Sequence, residues 1–258
     1  MNTENIAELL SVSASLGVRL CPLDVTDSTN EEARRQASAD MSAPALIIAN
    51  AQTKGRGRMG RSFHSPAESG LYMSYLVSAK PDIEDTVRLT TASAVAVSLA
   101  IEEIYGVSTE IKWVNDILMN GRKVCGILCE SFSTGDKRFA VIGIGVNIST
   151  AEFPTEIKDK AVSLSEGSGK KYALAAAVLK NLASFYSDPR DPKIAKIYKE
   201  RSAVIGRRVR LTGDGELLLA TVDDIEDSGA LCVTLDSGER RVIRSGEITL
   251  RFDNGKEI

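Results

Sequence analysis

The sequence predicts an α/β (α+β) fold: a mixed sheet with flanking helices, followed by a small β-barrel. Short apolar runs of strand length alternate with helical stretches through residues 1–202. The dipeptide Asn120–Gly121 separates two apolar runs, which is the strongest short signal for a hairpin. From Gly206 onward, short β-like runs alternate with turn residues, a texture typical of small all-β domains.

The first predicted elements flank a glycine-rich loop. Asp27–Asn30 (DSTN) is an N-cap signal for a helix whose first turn carries the acids Glu31 and Glu32. The apolar runs Ala45–Gln52 and Gly70–Ser78 predict two buried strands. The loop between these runs therefore joins two strands of the sheet.

The remaining elements of the first domain follow from apolar periodicity. Asp85–Tyr105 predicts a long helix that Gly106 closes. Phe139–Ile148 predicts another buried strand, with glycines that permit close approach. Two further helices are predicted, at Lys170–Tyr186 and from Pro192 to about Ser202.

The character of the sequence changes near Ala203. The runs RRVRLT, LLLATVDDI, ALCVTL and RRVIRSGEITLRF are separated by the turn sequences GDGE, EDSG and DSGE. Short strands at this spacing indicate a small barrel or sandwich. We therefore expect two domains, residues 1–202 and residues 203–258.

Composition excludes several classes of protein. The 258 residues include 35 acids and 32 bases, for a net charge of −3, so a chain-wide basic surface for nucleic acid is absent. No apolar run approaches ~18 residues and no signal-peptide pattern opens the chain, so we expect no membrane association. Four cysteines without CxxC spacing and a single histidine argue against a zinc site and for reduced thiols. We expect a cytoplasmic enzyme.

One loop departs from this acidic balance. Thr53–Phe63 (TKGRGRMGRSF) carries four cations among three glycines and no acid. Glycines let backbone N–H groups approach an anion closely, and arginine donors match phosphate or carboxylate. The loop lacks the Walker A pattern, and its match to G-x-G-x-x-G has no βαβ unit around it. It predicts a local anion site.

The motif Lys112–Asp116 (KWVND) precedes the predicted hairpin, and Lys123 follows its turn. A hairpin places Asp116 and Lys123 on opposite sides of one turn. A carboxylate beside a lysine can hold the amine, take its proton or bind Mg²⁺ together with phosphates. Taken alone, the motif also fits an exposed hairpin with a surface ion pair.

The series DSTN, QTKGRGRMGR, KWVND, RKVCGIL and GIGVNIS resembles the biotin protein ligases (biotin–[acetyl-CoA-carboxylase] ligases) over Val25–Ser149. The segment GALCVTLDSGERRVIRSGEITLR resembles the SH3-like C-terminal barrel of that family. The resemblance implies a catalytic fold of the class II aminoacyl-tRNA synthetase and biotin ligase type. It implies formation of biotinyl-5′-AMP from biotin and ATP with Mg²⁺, then transfer of biotin to a lysine of a biotin carboxyl carrier domain of acetyl-CoA carboxylase or a related enzyme.

The resemblance also implies roles for single residues. Those matching the biotin site are Ser28, Thr29, Asn30, Gln52, Arg56, Gly57, Arg58, Lys123 and Gly126. Those matching nucleotide contacts are Arg56, Arg58, Arg61, Trp113 and Asn147. The residues expected to act in catalysis are Lys123, Arg58, Asp116 and Lys112, with Asp116 also a candidate ligand for Mg²⁺.

Two positions depart from the family pattern. Val114 stands where the family usually has proline, and Phe63 where it often has tryptophan. Both keep an apolar residue, so we expect activity to be retained. Only 26 residues precede DSTN, so we expect a ligase without the helix-turn-helix of repressor members and without DNA as a partner. Monomer and homodimer both remain open.

Two other functions remain open from the sequence. A lipoate or octanoate ligase or transferase on the same scaffold would keep the fold and change the acid. An anion- or RNA-binding module would use the Arg/Gly loop without adenylation. The pairing of GRGRMGR with KWVND favours biotin. The small domain is expected to help hold ATP or the carrier.

Overall fold

The computed structural model describes residues 3–39, 43–79, 86–165, 169–213, 216–244 and 246–250. The helices are α1 Thr3–Ser15, α2 Thr29–Ser38, α3 Thr86–Tyr105, α4 Lys171–Ser187 and α5 Pro192–Glu200, with a short 3-10 turn at Arg58–Gly60. The strands are β1 Arg19–Thr26, β2 Ala45–Gln52, β3 Gly70–Ser78, β4 Glu110–Lys112, β5 Asp116–Met119, β6 Arg122–Thr134, β7 Lys137–Asn147, β8 Arg208–Gly213, β9 Glu216–Ile225, β10 Leu231–Leu235, β11 Arg240–Ile243 and β12 Glu247–Leu250.

Seven strands form the main sheet in the order β1-β2-β3-β7-β6-β5-β4. β1 runs parallel to β2, and all other neighbours are antiparallel, so the sheet is mixed as predicted. β2 and β3 have the predicted bounds. The predicted hairpin turn is confirmed, because Asn120 and Gly121 both have positive φ, 52° and 70°. The pairing order places β7, with Gly143 and Gly145, at the centre of the sheet between β3 and β6.

Helices cover both faces of this sheet, and the two faces differ in composition. α1, α3 and α4 pack together on one face, over the larger apolar core. α2 covers the other face through Ala33 and Ala37, which pack against Ile47 and Leu76. Alanine is the smallest side chain that fills a core position, so α2 lies close to the strands. The first turn of α2 therefore lies close to the middle of the sheet.

Two elements, α1 and β1, have no counterpart among the predictions. β1 contains Pro22 and alternates half-buried with exposed residues. It lies at the edge of the sheet, where proline is tolerated, and is parallel to β2 from the Arg19–Ala45 pair onward. Its conformation therefore depends on a partner strand remote in sequence rather than on its own apolar pattern.

The C-terminal region forms a five-stranded antiparallel sheet in the order β11-β10-β9-β8-β12, which confirms a small all-β domain. The run predicted as RRVIRSGEITLRF is two strands, since the described chain turns at Gly246 with φ 148°. Residues 245, 251 and 252 of that run lie outside the described residues, as does Asp85 of the predicted long helix. The domain boundary near Ala203 stays a prediction.

The two sheets are joined by specific contacts. Ile111 of β4 accepts a hydrogen bond from the Ala203 amide at 2.8 Å, so the connecting segment extends the sheet edge. The indole N–H of Trp113 donates to the Gly229 carbonyl at 2.8 Å. Within the described part of the chain, no helix combines the length and apolarity that crossing a bilayer requires.

Candidate functional site

A narrow slot lies between the first turn of α2 and the centre of the main sheet. The family resemblance assigned nine residues to biotin, and six of them line this slot: Ser28, Thr29, Asn30, Gln52, Arg56 and Gly126. They come from α2, β2, β6 and the loop after β2, so only the fold brings them together. The free space in the slot is about 20 Å³, which holds no more than a water molecule.

Neutral hydrogen-bonding groups form the floor of the slot. The Thr29 amide and hydroxyl both donate to Gln52 Oε1, at 2.8 and 3.1 Å. Gln52 Nε2 donates to the Ser65 hydroxyl at 3.0 Å. Ser74 Oγ lies 2.7 Å from Thr29 Oγ1 and 2.6 Å from Asn30 Oδ1. These bonds fix the orientation of both amide side chains, and Ser74 is completely buried.

Glycines of β7 make room for this floor. A Cβ atom at Gly143 would clash with Asn30 Oδ1, and one at Gly145 would lie 2.5 Å from the Phe63 ring. The Phe63 ring thus rests directly on the backbone of β7 and fills the slot beside Gly126. A ligand larger than water therefore requires Phe63, and with it the loop, to move.

The predicted helix start is confirmed, although its capping differs from a standard one. α2 begins at Thr29 with Ser28 at the N-cap position, and the Ser28 side chain makes no capping hydrogen bond. Asp27 instead accepts from the Ser28 amide at 2.7 Å and pairs with Arg35. These contacts hold the pKa of Asp27 well below its usual range. The Ser28 hydroxyl therefore does not cap the helix, and Ser28 lines the slot.

The glycine-rich loop is ordered by its own backbone. The Gly57 amide donates to the Arg61 carbonyl at 2.7 Å, and the Phe63 amide donates to the Gly55 carbonyl at 2.9 Å. The turn between them places Met59 in the left-handed region with φ 54° and leaves it 71% exposed. The loop is therefore a short hairpin whose tip faces solvent.

Three cations of the loop contact four residues outside it. Arg56 pairs with Glu31 of α2 and Glu130 of β6. Arg58 Nη1 donates to Asn115 Oδ1 at 3.3 Å, and Arg61 pairs with Glu247 of the C-terminal domain. The sequence near the loop has no acid to balance these charges. The fold supplies the acids from elements 25 to 186 positions away along the chain.

A second, larger cavity of about 450 Å³ lies beyond the loop, between the two domains. Its wall includes all but one of the residues predicted to contact nucleotide: Arg58, Arg61, Trp113 and Asn147. The exception is Arg56, which faces the slot and the opening between the two spaces. Trp113 is only 3% exposed, so it is mainly a core residue with one face toward the cavity.

The expected ion pair is formed at the base of this cavity. Lys123 Nζ lies 2.7 Å from Asp116 Oδ1, across the hairpin of β5 and β6. Lys112 lies opposite Asp116 on β4 and is 9% exposed. Burial lowers the pKa of Lys112, and the Asp116 carboxylate opposes that shift. Two lysines and one carboxylate thus leave a net positive charge on this wall.

A small opening connects the slot to the cavity. Gly57, Arg58, Lys123 and Gly126 line it, and Lys123 lies on the cavity side, within contact range of the Gly126 backbone. Gly57, Arg58 and Lys123, all matched to biotin, therefore lie beside the slot rather than in it. An acid whose ring occupies the slot would present its carboxylate to Lys123 at the opening.

The described residues contain no cluster of three or more side chains of the His, Cys, Asp and Glu types placed to hold a metal ion. Asp116 faces the cavity and is engaged by Lys123. Mg²⁺ is usually held by one or two carboxylates together with substrate phosphates and waters. The Asp116 carboxylate facing the cavity therefore fits a Mg²⁺ that arrives with a nucleotide.

Several wall residues were missed in the sequence. Glu247, Ile248 and Thr249 of β12 line the cavity, as do five residues of a preceding segment: Phe153, Glu156, Ile157, Lys160 and Ala161. The Lys123 amide donates to the Lys160 carbonyl at 2.7 Å, so this segment is fastened to β6. Among the residues that were given no site role, only the glycines of β7 had a signal in the sequence, since glycines within a predicted buried strand indicate close approach. Glu247 had none, because its neighbours along the chain form an ordinary strand.

Comparison with known proteins agrees with this geometry. Residues 23–147 match the Biotin/lipoate A/B protein ligase family, and residues 204–251 match the Biotin protein ligase C terminal domain. The bifunctional ligase/repressor BirA of Bacillus subtilis is 34% identical over 236 residues, covering 88% of this chain and 73% of that protein. The biotin–[acetyl-CoA-carboxylase] ligase of Mycobacterium tuberculosis is 33% identical over 232 residues, covering 85% and 84%.

The fold agrees with a solved structure as well. The biotin protein ligase of Aquifex aeolicus in complex with biotin and ATP superposes with a TM-score of 0.75 at 32% identity, covering 90% of this chain and 98% of that one. Sequence similarity thus extends through both domains, and the structural match covers nearly the whole partner. The chain belongs to the biotin protein ligase family.

Proposed function

We propose that this protein activates biotin with ATP to give biotinyl-5′-AMP and transfers the biotinyl group to a lysine of a carrier protein. The observation that carries the proposal is the union of two spaces: a slot with a neutral polar floor opens at Lys123 into a cationic cavity. The ring of an acid, its carboxylate and a nucleotide can occupy these spaces in one line.

The floor of the slot favours biotin over lipoate or octanoate. A ureido ring has two N–H donors and one carbonyl acceptor, which match Thr29, Asn30 and Gln52. A dithiolane ring or an alkyl chain has no such donors and acceptors, so it would lie against this polar floor without forming hydrogen bonds to it. Sites built to hydrogen-bond a substrate strongly reject analogues that lack the polar groups.

In the first step, a biotin carboxylate oxygen attacks the α-phosphorus of ATP. An O–P bond forms, the bond from the α-phosphorus to the bridging oxygen breaks, and pyrophosphate leaves with that oxygen. The nucleophile is already ionised, so no general base is needed, and the chain has a single histidine. Lys123, Arg58 and Lys112 line the cavity, and we assign to them the holding of both anions and the offsetting of the developing charge.

In the second step, the amine of a carrier lysine attacks the acyl carbon, an amide forms and AMP leaves. The incoming ammonium must first lose a proton. Asp116 is one of two carboxylates that line the opening, with Glu247, and we assign to Asp116 this role or the steering of the amine. Transfer from preformed biotinyl-5′-AMP should slow in Asp116→Asn. Unchanged transfer in that variant would remove the assignment.

Mg²⁺ is expected to arrive with ATP and to neutralise its phosphates. The carrier is expected to be a biotin carboxyl carrier domain, since the relative from M. tuberculosis is named as a biotin–[acetyl-CoA-carboxylase] ligase. All four cysteines are free thiols. Free thiols are typical of reducing compartments, and we assign the reaction to the cytoplasm.

ATP–pyrophosphate exchange tests the proposal, run in parallel with biotin, lipoate and octanoate. We expect exchange that depends on biotin and disappears in Lys123→Ala. Exchange only with lipoate or octanoate would keep the chemistry and overturn the substrate. Absence of exchange with every acid would overturn the ligase assignment and leave anion or RNA binding by the loop.

The structure disfavours the RNA-binding alternative. Three of the four loop cations engage Glu31, Glu130, Asn115 and Glu247 of the same chain. A loop built to neutralise RNA phosphates would hold its arginines toward solvent. Titration with random oligonucleotides at increasing salt measures this directly, and we expect only weak binding.

A further inference from the structure

Glu130 of β6 lies where the floor of the slot meets the glycine-rich loop. Its Oε2 accepts a hydrogen bond from Asn30 Nδ2 at 2.9 Å. Its Oε1 accepts from Arg56 Nη2 at 3.0 Å and lies 3.3 Å from Arg34 Nη2. The side chain is 19% exposed. It was not among the residues predicted from the sequence, and it does not line the slot itself.

On the floor side, Glu130 determines which way the Asn30 amide faces. Asn30 Nδ2 donates to Glu130 and to the Leu128 carbonyl, both of which only accept. Asn30 Oδ1 must then face the Ser74 hydroxyl, 2.6 Å away. The chain of bonds continues through Thr29 to Gln52. The carboxylate therefore fixes the donor and acceptor pattern at one end of the floor.

On the loop side, Glu130 belongs to a cluster of four charges. Glu31 and Glu130 face Arg34 and Arg56, and the cluster is neutral as a whole. Arg34 is held in place by the Phe132 ring, 4.5 Å from its guanidinium. Arg56 is the member that comes from the loop. Its two carboxylate partners thus fasten the loop over the slot.

We infer that Glu130 is a positioning residue with two separable tasks: it orients Asn30 for recognition of a ureido ring, and it latches the loop through Arg56. The inference rests on the proposed function. The latch opposes passage in both directions, because the loop carries Phe63, whose ring must leave the slot before a ligand binds. Once a ligand is bound, the same ion pair slows its escape.

Two variants separate these tasks. Glu130→Gln keeps an oxygen that can accept from Asn30 and removes the charge that holds Arg56. We expect it to release biotinyl-5′-AMP about tenfold faster, with the KM for biotin within threefold of wild type. Glu130→Ala removes both contacts, and we expect the KM for biotin to rise at least about tenfold as well. The KM for ATP should stay within twofold in both.

Arg56→Ala and the double variant Glu130→Gln/Arg56→Ala complete a cycle for the latch. We expect release in Arg56→Ala to be at least as fast as in Glu130→Gln, because Arg56 also pairs with Glu31. The double variant should match Arg56→Ala, because Glu130→Gln then has no Arg56 ion pair left to remove. Glu32→Gln is the matched control. Glu32 lies on α2, the helix that carries Glu31 and Arg34, and it pairs with Arg35, away from the loop. It should behave as wild type in both measurements.

The measurements are the KM values from pyrophosphate exchange and the rate of biotinyl-5′-AMP release from the intact protein, with the thermal midpoint of each variant as a check on folding. Release and biotin KM within twofold of wild type in Glu130→Ala would overturn the inference. So would equal rises in both KM values in Glu130→Gln, or effects that multiply in the double variant. Absence of biotin-dependent exchange in wild type would instead overturn the proposed function.

Discussion

The slot and the cavity differ in width, burial and charge. The slot is narrow and buried, and its floor consists of neutral side chains on α2, β2 and β3 that are already hydrogen-bonded to one another. The cavity is wide, its walls are charged, and it draws residues from the loop, the hairpin and the second domain. A fixed set of neutral donors and acceptors provides selectivity, because only a ligand with matching polar groups forms hydrogen bonds to it. Clustered charges stabilise a transition state that gains negative charge.

Lys123 stands where the two regions meet, and its removal should have the largest effect. We expect Lys123→Ala to lower kcat/KM for biotin-dependent exchange roughly 100- to 1,000-fold, as for loss of one preorganised charge donor. Lys158→Ala is the control, because Lys158 is exposed and outside the cavity wall. An effect below tenfold would place the reacting atoms away from the opening.

Gly143→Ala should affect the slot alone. Its Cβ would clash with Asn30 Oδ1, so the amide must shift and the floor must rearrange. We expect the KM for biotin to rise about 10- to 100-fold while the KM for ATP is unchanged, measured by exchange with each substrate varied. In the control Gly169→Ala, the Cβ meets nothing within 4 Å. A parallel rise in the KM for ATP would show that the two regions are not independent.

The ion pair between Arg61 and Glu247 tests whether the second domain contributes to the cavity. The two side chains are 66% and 33% exposed, which limits their coupling to about 1 kcal/mol or roughly fivefold. We expect Arg61→Ala and Glu247→Gln each to raise the KM for ATP a few-fold, with less than additive effects in the double variant. Arg241→Ala removes a surface pair within the second domain and is the control. Full additivity would contradict a direct link.

The smallest expected effect is the uptake of a fraction of a proton when ATP binds. Burial lowers the pKa of Lys112, so near that pKa part of the population is uncharged. Bound ATP is negative and raises the pKa again, so binding should take up a fraction of a proton above neutral pH. Calorimetry in buffers of different ionisation enthalpy measures this uptake, and Lys112→Met should abolish it.

Lys171→Met is the matched control for the proton measurement. Burial lowers the pKa of Lys171 to about 8, and its ammonium donates to Asn50 Oδ1 at 3.0 Å, outside both the slot and the cavity. Proton uptake should therefore persist in this variant. Loss of uptake in Lys171→Met, or its persistence in Lys112→Met, would assign the proton to another group.

The departures from the family pattern are accommodated by packing. Val114, where proline is usual, follows Trp113 through a cis peptide bond, and its carbonyl accepts from Tyr198 at 3.1 Å. Phe63, where tryptophan is frequent, rests against Gly145 and edge-on to Tyr72. Phe63 lines both the slot and the cavity, and Val114 lies in the core beside Trp113. That activity is retained stays a prediction.

Most of the secondary structure and the cationic character of the loop could be predicted from short stretches of sequence. β2, β3, the hairpin turn and the helix after Asp27 follow from apolar runs, turn residues and capping residues, all of which act within a few positions. The family motifs identified the polar residues of the slot for the same reason, since each motif is short and continuous. Edge strand β1 was missed because its pairing partner lies elsewhere in the chain.

Tertiary structure alone decided how the motifs combine. Glu130 and Glu247 are unremarkable in the sequence, and they become partners of Arg56 and Arg61 only when the sheet order and the domain contact are known. The arginines and glycines of the loop are visible in the sequence itself. The acids that balance them come from residues up to 186 positions away, because ion pairs depend on distance in space and not along the chain.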